Sequence, residues 1–160
     1  MYRRIIGLFL GLGLIQSCIK APDISDIPSL EFVGLSKNVM NQGDLNNDSI
    51  IVFLAFTDGN GDIGSSVSFE GPNLFVIDNR NGETYDNIKI PQIPPEGAGN
   101  GVKGTIQLKL YNGCCLFDDR PNCTQSPEIS NELSFNITLM DRAGNESNVV
   151  TTSNIELRCI

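Results

Sequence analysis

Residues 132–140 read ELSFNITLM, and this stretch decides the fold. Leu133, Phe135, Ile137 and Leu139 occupy alternate positions, with Ser134, Asn136 and Thr138 between them. A period of two sends the apolar set to one face and the polar set to the other, so the segment is a strand with one buried and one wet side. On a helix the same four side chains would scatter around the axis. The preceding apolar segment, 102–111 (VKGTIQLKLY), repeats the pattern: Val102, Ile106, Leu108 and Leu110 share a face, while Lys103, Gln107 and Lys109 look away. Residues 49–57 (SIIVFLAFT) are apolar on both faces, which suits a central strand. Further strands are expected at 30–36, 73–79, 84–90 and 148–159, with Asn81-Gly82 as a tight hairpin turn between the third and fourth. No window of eleven residues carries a helical period. Seven short strands need two sheets to bury their apolar faces, so the expected fold is all-β: an immunoglobulin-like antiparallel β-sandwich of about seven strands, with an open barrel as runner-up.

Composition narrows the function classes. The 160 residues are enough for one domain with a short appendage, and 40 % apolar content supplies a core. Histidine and tryptophan are both missing. That removes Ser-His-Asp and Cys-His nucleophile pairs, the commonest general base, and every zinc site that needs imidazole. The formal charge of −8 comes without a basic stripe, so nucleic acid is not an expected partner. The glycine-rich segment 97–104 (GAGNGVKG) lacks the strand–loop–helix setting of a phosphate loop. Catalysis is not expected.

The N-terminus reads as an address. Arg3 and Arg4 precede an apolar run from Ile5 to Ile15, followed by Gln16, Ser17 and Cys18. Eleven apolar residues are too few for a spanning helix, which takes about 20, and the layout is that of a secretory signal. Ile15, Ser17 and Cys18 also resemble the lipobox of bacterial lipoproteins, and the resemblance implies cleavage of residues 1–17, leaving Cys18 as the acylated first residue of a 143-residue mature chain. An ordinary signal with an incidental cysteine is the alternative. Losing Arg3 and Arg4 takes the formal charge from −8 to −10. Residues 18–28 form the lipidated cysteine and a proline-containing tether, and 29–160 the sandwich domain. Two or more acyl chains would hold the protein on a membrane without a transmembrane helix.

Parity then sorts the loops. If seven strands reverse direction in turn, the loops after the second, fourth and sixth strands share one pole. The first of these is FTDGNGDIG (56–64) and the last MDRAGNESN (140–148). Asp58, Asn60 and Asp62 alternate along the former, with Asp141 opening the latter. Oxygen side chains so spaced can converge on one hard cation, and three carboxylates with an amide suit calcium better than magnesium. It is not an EF-hand, since Ile63 and Phe69 stand where glycine and glutamate are required. The alternative is a pair of solvated turns, because Asp, Asn and Gly are what turns are made of. A similar trio, Asp44, Asn46 and Asp48, falls at the opposite pole and reads as a solvated turn.

Export places Cys114, Cys115, Cys123 and Cys159 in an oxidising compartment, and parity puts all four at the other pole. Neighbouring cysteines do not readily join, so two of three connectivities survive. Cys114 is in phase with Ile106, Leu108 and Leu110, and Cys159 with Ile155 and Leu157, so Cys114–Cys159 and Cys115–Cys123 are expected. A four-thiolate zinc site is the sharper alternative.

The lipobox at Leu14 to Cys18, the FTDGNGDIG segment, the CC…C segment at 114–123 and the DRAGNESN segment together resemble the small lipid-anchored, immunoglobulin-like lipoproteins common in Bacteroidota. The resemblance implies an outer-membrane location, facing the periplasm or the outside. Asn60 stands where that group often has aspartate, which lowers the charge of the site. The expected function is a non-catalytic lipid-anchored module presenting its loops to a protein or glycan. An accessory subunit of an envelope complex is the alternative.

Overall fold

The computed structural model describes residues 24–65, 70–93 and 101–160. The expected cleavage site and Cys18 lie outside the described residues. All seven expected strands are present, and three of them are longer stories than alternation tells. The elements are β1 (Ser29–Leu35), β2 (Val39–Asn41), β3 (Ser49–Asp58), β4 (Leu74–Asp78), β5 (Thr84–Ile88), β6 (Val102–Tyr111), β7 (Ser130–Leu133), β8 (Phe135–Leu139), β9 (Val150–Thr151) and β10 (Ile155–Arg158). No helix occurs among the described residues.

One sheet has the order β1-β3-β6 and the other β5-β4-β8-β9, with every neighbour antiparallel. A third sheet, β2-β10-β7, lies at the pole opposite the acidic loops and contains one parallel pair, β2 with β10. Two of the expected strands divide between sheets. In 132–140 the change falls at Ser134: Leu133 pairs with Ile155, while Phe135 pairs with Asp78. In 148–159 it falls between Thr151 and Ile155. The third is the first run, which is followed by β2, a short strand that three residues of sequence do not announce.

The core confirms the reading of 132–140, for Leu133, Phe135, Ile137 and Leu139 are all fully buried. They pack in one cluster with Ile50, Val52 and Leu54 of β3 and Leu108 and Leu110 of β6, so both large sheets face the same interior. β3 is flanked on both sides and runs ten residues, as its apolar character requires. The Asn81-Gly82 turn joins β4 to β5, with Gly82 at φ 74°.

The cysteine pairing differs from expectation. Cys114 joins Cys123 and Cys115 joins Cys159, with Cα separations of 4.5 and 5.8 Å. Phase counting from β6 fails because the strand ends at Tyr111: Asn112 still keeps the buried phase, but in the irregular segment after it the alternation is lost and Cys115, not Cys114, is fully buried. Cys115 and Cys159 are both fully buried. Gln42 fixes this arrangement by accepting a hydrogen bond from the Cys115 N–H at 3.1 Å. Arg80, held in a buried pair with Asp78, donates to Cys114 O at 2.9 Å.

Candidate metal centre

β3 delivers Asp58 at its last residue, and the loop that follows turns back on it. The Asp62 N–H donates to Asp58 Oδ2 at 2.9 Å and to Asn60 Oδ1 at 3.2 Å. Gly61 at φ 69° permits this curl. Gly59 answers a different demand. Its N–H donates to Ser25 O at 2.7 Å, and a Cβ there would collide with Ile24 O, so the end of the tether lies directly against the acidic loop. Ile63 is fully buried and pins the loop to the core.

The 140–148 loop is organised by its own side chains. Asp141 accepts from the Asn145 N–H and Nδ2, each at 2.8 Å, and Gly144 at φ 88° closes the turn. Ser147 continues the strand ladder: its N–H donates to Leu139 O and its Oγ accepts from the Leu139 N–H. The Asn148 side chain then clasps β1, accepting from the Leu30 N–H at 3.0 Å and donating to Leu30 O at 2.9 Å. Arg142 ties this loop to the first, with its N–H on Asp62 O and its guanidinium on Ile63 O.

The two loops meet as parity requires. Asp58, Asp62 and Asp141 each present a carboxylate oxygen, and the three oxygens lie within 4.8 Å of one another. Oxygens bound to one calcium at about 2.4 Å cannot be further apart than roughly 4.8 Å, so the spacing suits a shared ion. Asp58 and Asp141 are fully buried and Asp62 half-buried. Asp58 Oδ1 and Asp62 Oδ1 are both buried without a hydrogen-bond partner. A buried carboxylate oxygen left unpaired is costly, and buried charges are ordinarily paired or metal-bound.

Electrostatics point the same way. Burial, and then the charges of Asp62 and Asp141, push the Asp58 carboxyl above its ordinary value, against the pull of the Asp62 and Gly61 N–H groups. Burial and Asp141 likewise raise Asp62, partly offset by Arg142.

Asn60 lies beside the three aspartates, sharing the Asp62 N–H with Asp58 Oδ2. It is exposed, and its side-chain oxygen accepts from the loop backbone. Sequence reasoning also missed Asn145, Arg142 and Asn148, which brace the site without lining it. The signal for Asn145 was available, since an amide four residues after Asp141 across a glycine can fold back on it. The Asp44, Asn46 and Asp48 trio behaves as the turn it was expected to be. Asp48 accepts from Lys37 Nζ and from the N–H groups of Asn41 and Ser49. Burial alone would raise its carboxyl, but these donors outweigh it and hold the group below its ordinary value.

Comparison with known proteins returns no family model, no curated protein and no solved structure that matches the chain.

Proposed function

We propose that this is a non-catalytic, lipid-anchored envelope lipoprotein whose immunoglobulin-like sandwich is clamped by calcium between the β3–β4 and β8–β9 loops. The observation that carries the reading is the convergence of Asp58, Asp62 and Asp141 around two buried, unpartnered carboxylate oxygens. A divalent cation bound there supplies the charge those oxygens lack and joins two loops from distant parts of the chain. The strand sets β1-β3-β6 and β5-β4-β8-β9 support the immunoglobulin-like assignment, each being an antiparallel half of a two-layer sandwich.

The tether supports the anchoring. β1 begins at the cation pole, where Ser25 is bonded to Gly59. Cys18 and Ser25 are seven residue steps apart, a span of at most ~25 Å. The acidic pole is thus the membrane-proximal one, and any protein or glycan met by its loops is met close to the lipid surface. Outer-membrane placement rests on the resemblance to that group of lipoproteins, and the anchoring is tested by a Cys18→Ser variant, which is expected to leave the membrane fraction.

Calcium added to chelator-treated protein tests the clamp. At ten times the dissociation constant, the ion stabilises the fold by about 1.4 kcal/mol. Magnesium at the same concentration gives a smaller shift, because it sheds its waters reluctantly. An unmoved melting temperature in millimolar calcium returns the loops to ordinary solvated turns.

A further inference from the structure

We propose that the free edge of β6 is a docking site for an extended acidic segment of a partner protein, which adds to the β1-β3-β6 sheet as a fourth strand. β6 is ten residues long, and no strand among the described residues pairs with its far side. The direction of its backbone groups follows from Tyr85. That hydroxyl donates to Tyr111 O from β5, on the side away from β3. Backbone groups alternate along a strand, so Lys103, Thr105, Gln107 and Lys109 turn their N–H and C=O groups to the same free side. The opposite set pairs with β3, from Val102 against Asp58 through Leu110 against Ile50.

Beside this edge the two sheets part. A groove of 340 Å³ runs between β5 and β6, with Leu74, Ile88, Ile90, Ile106 and Leu108 among its lining residues. A strand laid along β6 would turn alternate side chains into this groove and the others to the outer face. The inward positions therefore select apolar residues. The outer positions meet Lys103 and Lys109, with Lys89 on the far rim.

Charge decides the occupant. Among the described residues, Lys37 is paired with Asp48, Arg80 with Asp78, Arg120 with Asp119, and Arg158 with Glu156, while Arg142 is spent on backbone carbonyls. Lys89, Lys103 and Lys109 have no carboxylate partner there, although Lys109 lies over the Tyr111 ring. Among the described residues, Asp86 is the one acidic side chain lining the groove. In a chain of net charge −8, the unpaired lysines among the described residues thus gather around one edge. A second copy would oppose lysine to lysine, which is how edges resist self-pairing. An alternating apolar–acidic segment satisfies the backbone, the groove and the lysines together. β5 is a poorer template, being five residues long with a register shift in its pairing to β4.

Amide hydrogen exchange on the isotopically labelled full chain tests the proposal, with a (Val-Glu)4 peptide as probe and (Val-Lys)4 as comparator. The glutamate peptide is expected to slow exchange at Lys103, Thr105, Gln107 and Lys109 at least tenfold, and the comparator to leave it unchanged. The double variant K103E/K109E should reverse that preference. Thr105→Pro removes an N–H from the free side alone, so it should abolish the protection without disturbing the β3 pairing. Equal protection by both peptides, protection confined elsewhere, or amides of Lys103, Thr105, Gln107 and Lys109 already protected in the peptide-free protein would each overturn it.

Discussion

Replacing Asp58 by asparagine separates a cation clamp from a decorative turn, because the two readings give stability changes of opposite order. In the absence of metal, Asp58 shares a buried corner with two other carboxylates at separations within 4.8 Å. At that distance a pair of like charges costs about 3.5 kcal/mol at an effective dielectric of ~20, and under ~1 kcal/mol in water. Proton uptake and the nearby Arg142 relieve part of this. An asparagine keeps the acceptor for the Asp62 N–H and adds a donor facing the remaining carboxylates. The cation-free variant is therefore expected to gain about 1–2 kcal/mol, raising its melting temperature by roughly 3–6 °C. Calcium reverses the order. At 100 times its dissociation constant the ion adds about 2.7 kcal/mol to the native protein, while the variant, short of one charged ligand, responds little. Differential scanning calorimetry of both proteins, in chelator and in millimolar calcium, should give crossing stabilities. A variant that is less stable than the native protein in chelator, yet gains equally from calcium, would refute the argument.

The pH dependence carries the same signature. Without metal, Asp58 and Asp62 hold protons more tightly folded than unfolded, so their contribution is fully present below the ordinary carboxylate value of 3.8 and is lost as pH rises through their raised values. With calcium, protons compete with the ion for the same oxygens. The calcium-induced rise in melting temperature should therefore shrink from pH 7 towards pH 4, and a rise that is constant over this range would count against carboxylate ligation. The disulfides make a separate prediction. Loop closure over separations of 44 and 9 residues gives about 4 kcal/mol for Cys115–Cys159 and about 2.5 for Cys114–Cys123. A Cys115→Ala/Cys159→Ala pair should thus melt lower than Cys114→Ala/Cys123→Ala, and non-reducing peptide maps should recover those two linkages.

Much of the architecture was legible before any coordinates. Side-chain alternation is a local consequence of strand geometry, so Leu133, Phe135, Ile137 and Leu139 announced both a strand and its buried face. Reversal of successive strands is a constraint of topology, so counting them was enough to place Asp58 and Asp62 on the same pole as Asp141. Hydrogen-bond partners are another matter. The apolar period runs through Ser134 without interruption, yet the strand leaves one sheet and enters another there. Nothing in a period of two records which neighbour a backbone group faces, because sheet exchange preserves the inward direction of every side chain.

The amino-acid sequence alone determined which residues are extended, which face is apolar, and which loops gather acid, since each follows from chain chemistry within a few residues. Only the tertiary structure decided which cysteine of an adjacent pair reaches Cys159, that Asn60 serves its own loop, and that Asp58 Oδ1 is buried without a partner. Those outcomes depend on how a short turn aims a side chain against segments tens of residues away. Aim of that kind is set by packing between sheets, and local periodicity holds no record of it.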